Sequence, residues 1–395
     1  MIKILVALMV VGACTETQAP ISGTTSLEVT LVSPDPGDVD HRIAATETTV
    51  VVNIQAMDAN GKLDTTYNKL VPVYAHYLGT LTPYLDIPTG LLTIPLSMTA
   101  PINVVNGVAN NVTIKLPSVF GPTTIWFDDD PAAGATYAAG VSPTLWYRDP
   151  FVSDIQTPTS ETAIDAYSNS PLNGKNIGVH SSRYGANGLL VVTSVFAQGY
   201  TVADVKCMVV MTPPCVADSY DYLEVFSFSA PLDQHAQFIS EGQVIAGFAG
   251  GISEFDGLTE IGFPQTFVSG TPVINKAFEP PIVKMDPTWF NTNKINFERN
   301  EAGAIEVDGG VVCPLDADYT TYKQWKIDPA GVGDAAACGG KNLINVISSG
   351  VATVDPGTLV GKTVPRIVGM LRPVNIGTFN VWIIYPRSDA DITIN

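Results

Sequence analysis

The sequence is poor in the groups that most enzyme chemistry needs. Four histidines, His41, His76, His180 and His235, stand far apart in 395 residues, and none has a Glu or Asp at motif spacing. HExxH, GxSxG and the phosphate-binding P-loop are all missing. The Asp pairs at Asp218–Asp221 and Asp389–Asp391 read as solvated turns. The expectation is a chain that binds rather than catalyses and that uses no cofactor. Positive charge is scarce as well: Lys and Arg number 20 against 38 Asp and Glu, a net charge of -18. Such a surface repels phosphate backbones and anionic head groups at long range. No sustained i, i+3, i+4, i+7 apolar stripe is found, which excludes a bundle of long amphipathic helices.

What is present suits short strands. Hydrophobic residues make up 46% of the chain, enough for sizeable cores, and 34 Gly and 29 Pro are spread along it as turn formers. The length suggests two to four domains. The acidity is uneven: residues 165–281 carry 4 basic and 11 acidic side chains, whereas 282–395 carry 10 and 12. Only the last segment is balanced enough to approach an anion.

The chain opens with Lys3 and an apolar run from Ile4 to Val11, too short for the ~20 residues that cross a bilayer. A charged start, a short apolar run and small residues before a cleavage point mark a signal peptide. Val11-Gly12-Ala13-Cys14 resembles the lipobox of bacterial lipoproteins. The resemblance implies removal of residues 1–13 and covalent lipid on Cys14. It also implies a polar tether over 14–25 and a place in the cell envelope of a Gram-negative bacterium. Thr15, in place of the Asp of inner-membrane retention, points to the outer membrane. The remaining cysteines are even in number, as exported disulfide proteins require. The local pairs Cys207–Cys215 and Cys313–Cys338 are preferred among three possible pairings.

Residues 26–150 read as a β-sandwich. Val50, Val52, Ile54 and Ala56 alternate onto one face, as do Val112, Ile114 and Leu116. Turn clusters at Asp58–Gly61 and Asn106-Gly107 separate the strands. The stretch Ala56–Gly61 ahead of Val71–Tyr74 resembles bacterial immunoglobulin-like repeats, which act as spacers or adhesive modules. Asp58, Asn60 and Asp64, and likewise Asp128, Asp129 and Asp130, carry calcium-type oxygens, yet the rest of an EF-hand loop is missing. No metal is expected there.

Residues 151–170 read as a linker, and beyond it the chain repeats. Ala246–Pro264 and Val368–Pro386 each read as strand, turn, strand and proline exit, with Gly247 aligned to Gly369 and Pro264 to Pro386. Ile367, Gly369 and Leu371 are expected on one face, with Phe379, Val381 and Ile383 as hairpin partners. The glycine-punctuated Gly242–Gly247 and Phe255–Ile261, with Phe297–Ala302 and Gln324-Trp325, resemble OB-fold domains that precede the catalytic domain of bacterial extracellular nucleases. No catalytic domain like theirs is expected here. The resemblance implies two OB-like barrels, 171–281 and 282–395. The fold expected is therefore all-β: an immunoglobulin-like sandwich followed by two OB-like barrels.

OB-folds often bind single strands by stacking and a basic groove. In the second barrel Trp325, Trp382, Tyr385, Lys362, Arg366, Arg372 and Arg387 are the candidates for ligand binding. The leading expectation is a non-catalytic, membrane-anchored envelope protein presenting β-domains to a protein or glycan partner. Nucleic-acid or polyanion binding by the second barrel is one alternative. Hydrolysis of an envelope or extracellular polymer is the other.

Overall fold

A computed structural model of the chain describes residues 23–77, 101–116, 119–129, 138–158, 161, 169–290, 292–329, 338–339, 342–350, 352–376 and 379–394. The leader, Cys14, most of the tether and Asp130 lie outside the described residues. The fold is all-β, and no helix among the described residues is long and apolar enough to cross a membrane.

The N-terminal unit comprises β1 (Thr24–Ser33), β2 (Thr49–Asp58), β3 (Lys69–Val71), β4 (Val73–Tyr77), β5 (Ile102–Val104), β6 (Val108–Lys115), β7 (Pro122–Asp128), β8 (Ala139–Val141) and β9 (Leu145–Trp146). The first strand thus takes Thr24 and Thr25 from the expected tether. Seven strands make one sheet in the order β4-β7-β8-β1-β2-β6, with β9 on β7, and β3-β5 forms a separate ribbon. The alternation predicted for β2 holds: Val50, Val52, Ile54 and Ala56 are all fully buried, packed with Ile114 and Leu116. Asn106 and Gly107 both have positive φ (53° and 79°), the geometry a tight hairpin turn between β5 and β6 requires.

The two C-terminal units have one topology. The first has β10 (Asn176–Val179), β11 (Gly188–Phe196), β12 (Gly199–Val209), β13 (Thr212–Val216), β14 (Tyr222–Phe226), β15 (Gln243–Ile245), β16 (Gly247–Phe255), β17 (Leu258–Phe267) and β18 (Val273–Ile274). The second has β19 (Val283–Lys284), β20 (Ala304–Val307), β21 (Gly310–Val312), β22 (Gln324–Asp328), β23 (Ile344–Ile347), β24 (Thr363–Val364), β25 (Arg366–Ile376), β26 (Phe379–Tyr385) and β27 (Ile392–Thr393). The orders β10-β16-β17-β14-β12-β11-β15 and β20-β25-β26-β23-β22-β21-β24 superpose strand for strand. Both contain a parallel pair at the same place, β14 with β17 and β23 with β26; the second adds β19 parallel to β20. In each, one face of a single sheet curls around one apolar cluster.

Pairing registers fix the correspondence and correct the expected alignment. Val225 opposes Ile261 as Val346 opposes Ile384. Ile252 opposes Ile261 as Leu371 opposes Ile384. Ile177 opposes Gly250 as Ile305 opposes Gly369. Gly369 therefore matches Gly250, not Gly247. The equal Gly-to-Pro spacing misled because the second hairpin has longer arms, while the first carries a bulge between Ala249 and Gly251. The expected hairpin faces are corrected too. Leu371 pairs with Ile384, so Ile384 and Trp382 turn to the core, and Ile383 is buried on the opposite face. By the same registers Tyr200 occupies the place of Trp325, and both are fully buried.

Short helices accompany the repeats: α1 (Val152–Gln156) ahead of the first, and α2 (Ile295–Arg299) and α3 (Ala317–Tyr322) inside the second. The start of the expected linker is thus structural, because Val152 and Ile155 of α1 are buried in the first repeat's core. The repeats pack on each other. The backbone N–H groups of Tyr220 and Asn375 donate to the carbonyls of Arg299 and Asp256 across the boundary. Ala302 also joins an apolar cluster with Val191, Ala203, Val205 and Tyr222.

Candidate functional site

Three of the four cations expected to line a basic groove, Arg366, Arg372 and Arg387, hold carboxylates. Arg366 Nε donates to Glu306 at 2.7 Å, and Arg387 is held by Asp391 at 3.0 Å with Glu279 at 3.6 Å. Arg372 reaches into the first repeat to Glu224 at 2.7 Å and lies over the Tyr385 ring at 4.9 Å. Lys362 is exposed, on the turn before β24. Trp325 is core, its Nε1 donating to Ser348 Oγ at 3.1 Å, so it offers no face to a ligand. Of the seven candidates, Trp382 lines a hollow where several rings gather.

That hollow, about 350 Å³, lies where α2 and a turn of 3-10 helix at Pro287–Phe290 meet the β26 end of the second repeat. Asp286 starts the turn by accepting the Thr288 N–H at 2.8 Å, and Pro287 suits a first helical position. The turn sets Trp289 and Phe290 against Phe297 of α2, edge to face at 5.4 Å each. Phe297 in turn stacks on Trp382 at 5.5 Å and 16°. Asn345 fixes the strand beneath, donating to the Trp382 carbonyl at 3.3 Å and accepting from Gln324 at 3.0 Å. Exposed Asn380 and Lys294 line the opening. A second hollow of about 460 Å³ shares Met285, Phe290 and Ile344 with it and is edged by Lys284, Asp286, Asp308 and Asn342. Rings, amides and an ammonium can hold a ring-shaped ligand. The first hollow has no carboxylate pair and no nucleophile among its lining residues. Sequence reasoning missed Trp289, Phe290, Phe297, Lys294 and Asn380 as site residues; the aromatic density of 289–297 was the available signal.

Buried carboxylates do converge, but between and within the repeats rather than in the first hollow. Glu224 and Glu260 face each other across β14 and β17 with Arg372 as their shared cation. Burial pushes the Glu224 carboxyl up to about 7, against the pull of Arg372. Burial also raises Glu301 well above the ordinary range, reinforced by the Glu298 charge, although Glu301 accepts the Thr259 N–H at 2.9 Å. In the first repeat, burial carries Asp204 up to about 7. Asp221 beside it is bound by Arg183 at 2.9 Å and by the Tyr184 hydroxyl at 2.6 Å. Asp218 and Asp221 are thus part of an ion-pair network.

The calcium-type oxygens are engaged in turns. Asp58 accepts the Asn60 and Lys62 N–H groups, and Asp64 accepts from Thr66 and Thr24. Asp129 accepts from Lys69 and Tyr67. Among the described residues, no cluster of His, Cys, Asp and Glu could hold a metal ion. Both preferred disulfides are present, Cys207–Cys215 and Cys313–Cys338. No protein-family model, no curated protein and no solved structure matches the chain.

Proposed function

We propose that the chain is a lipid-anchored, non-catalytic protein of the cell envelope whose second repeat binds a sugar ring of a neutral glycan. The observation that carries the reading is the aromatic hollow at Trp382. A pyranose offers apolar C–H faces to rings and hydroxyls to amides, and the hollow supplies both around Phe297, Trp382 and Asn380. A polyanion is the poorer fit, because Arg366, Arg372 and Arg387 each already hold a carboxylate.

The architecture fits this role. We read β10 with β11, and β20 with β21, as halves of one interrupted strand. Each repeat then becomes a five-stranded circuit: a three-strand meander, a parallel pairing of the third with the fifth, and a fourth strand returning to the first. That is an OB-like barrel. The N-terminal unit, read as an immunoglobulin-like module, serves as a spacer above lipid on Cys14. The outer membrane is the site assigned, on the strength of Thr15.

The test is titration of the protein with neutral envelope oligosaccharides, followed by tryptophan fluorescence and saturation-transfer NMR. Binding that Trp382→Ala weakens about tenfold, ~1.4 kcal/mol, and that salt leaves unchanged, supports the reading. Absence of binding at millimolar sugar overturns it. Steeply salt-sensitive binding of a single-stranded nucleic acid instead would favour the polyanion alternative. Labelled palmitate should enter the intact chain and not Cys14→Ser.

A further inference from the structure

β12 and β13 of the first repeat run out beyond the sheet as a hairpin. Its base is rooted: Cys207 and Cys215 oppose each other, form a disulfide, and are buried with Val205, Tyr222 and Phe278. Its tip is bare. Met208 is 85% exposed, Val209 62%, Val210 51% and Met211 41%. Four consecutive exposed apolar side chains on a braced hairpin call for an occupant, because soluble surfaces scatter such residues singly.

The geometry points to a lipid bilayer: we propose that Met208–Met211 dips into the boundary between head groups and acyl chains. This goes beyond glycan binding and does not depend on it. Three features select lipid over a protein partner. First, Val209 opposes Thr212 across a turn made by Val210 and Met211, so consecutive apolar side chains point to both sides of the ribbon. A protein groove covers one side, whereas a bilayer surrounds the tip. Second, among the described residues β13 pairs only with β12, and it carries Pro213 and Pro214. Proline on this edge strand disfavours an added partner strand, and the two missing N–H donors leave fewer polar groups to bury in hydrocarbon. Third, residues 205–217 contain Lys206 and no carboxylate, in a chain of net charge -18. The tip is thus freed of the charge that would hold it off a membrane.

The test is methionine oxidation by peroxide, read by peptide mass spectrometry. The full chain carrying Cys14→Ser, with both disulfides formed, is compared in buffer and with phosphatidylcholine vesicles. Met208 and Met211 should oxidise at least about fivefold more slowly with vesicles, while Met57 of the N-terminal sheet keeps its rate. Met9 reports leader insertion separately in the same digest. Val210→Asp should abolish the protection while both disulfides and the circular dichroism spectrum persist. Equal oxidation of Met208 with and without vesicles overturns the proposal, and so does protection that survives Val210→Asp. Protection found in cells but not on vesicles also overturns it, in favour of a protein partner. None of these failures bears on sugar binding at Trp382 or on the anchor at Cys14, which have their own assays.

Discussion

The residue that best shows how burial governs charge in this molecule is Glu224. It is fully buried, its partner across the parallel pair is Glu260, and one guanidinium, that of Arg372, serves both. Two carboxylates and one cation reach neutrality when one carboxylate keeps a proton, which is why burial carries Glu224 up to about 7. The direction of the linkage follows. The folded state holds this proton at pH values where the unfolded chain, with an ordinary Glu near 4.3, has released it. Proton uptake on folding makes stability fall as pH rises from about 4.5 through about 7. Asp204, Glu301 and Glu254, all raised, act in the same sense. The lowered carboxylates Asp58 and Asp64 act the other way, and only below about pH 4. The melting temperature should therefore be higher at pH 5 than at pH 8. Glu224→Gln, which never ionises, should reduce that difference by an amount worth ~1–3 kcal/mol. Scanning calorimetry of both proteins at the two pH values checks it, and an unchanged pH slope in the variant would refute the assignment.

At the scale of elements, the hairpins that close the two repeats meet the same constraint. A Cβ on Gly369 would lie 2.5 Å from the Tyr385 carbonyl carbon and 2.6 Å from Ile384 Cγ2. One on Gly250 would lie 2.6 Å from the Gly262 oxygen and 2.6 Å from Ile261 Cγ2. The strands cross so closely that only hydrogen fits, which is how a sheet this small coils around its core. Gly369→Ala should cost about 2 kcal/mol or more through forced displacement of β26, read as a lower denaturant midpoint. This spacing was partly open to sequence reasoning. Glycine and proline punctuation announced a repeated hairpin, and alternation placed Val50, Val52 and Ile54 inward, because a half-exposed sheet writes its period into the sequence. In β25 the signal fails. Ile367, Val368, Met370 and Leu371 are all buried, one side against the core and the other beneath neighbouring elements, so no alternation remains to set the register. The hollow was harder still. Trp382 stood out as a strand tryptophan, but Trp289, Phe290 and Phe297 come to it from a turn and a five-residue helix that follow no period.

At the scale of the molecule, the repeats behave as one body because polar groups of one are completed by the other. Arg372 of the second repeat neutralises Glu224 of the first, Glu301 accepts the Thr259 N–H, and Asn375 donates to the Asp256 carbonyl at 2.6 Å. Such contacts stabilise little beyond an apolar alternative, since desolvation offsets most of the attraction, but removing one partner leaves the other charge buried. Arg372→Ala would strand Glu224 and Glu260 in the interface. It should destabilise by about 3–5 kcal/mol at pH 8, and by less at pH 5, where protonation of Glu224 relieves the stranded charge. Because the cluster belongs to both repeats, the loss should appear as one shared calorimetric transition moving down, with the transition of the N-terminal sheet left in place. Two repeat transitions separating in the variant, with only one of them shifted, would instead mean that the repeats are joined in tandem without forming a common unit.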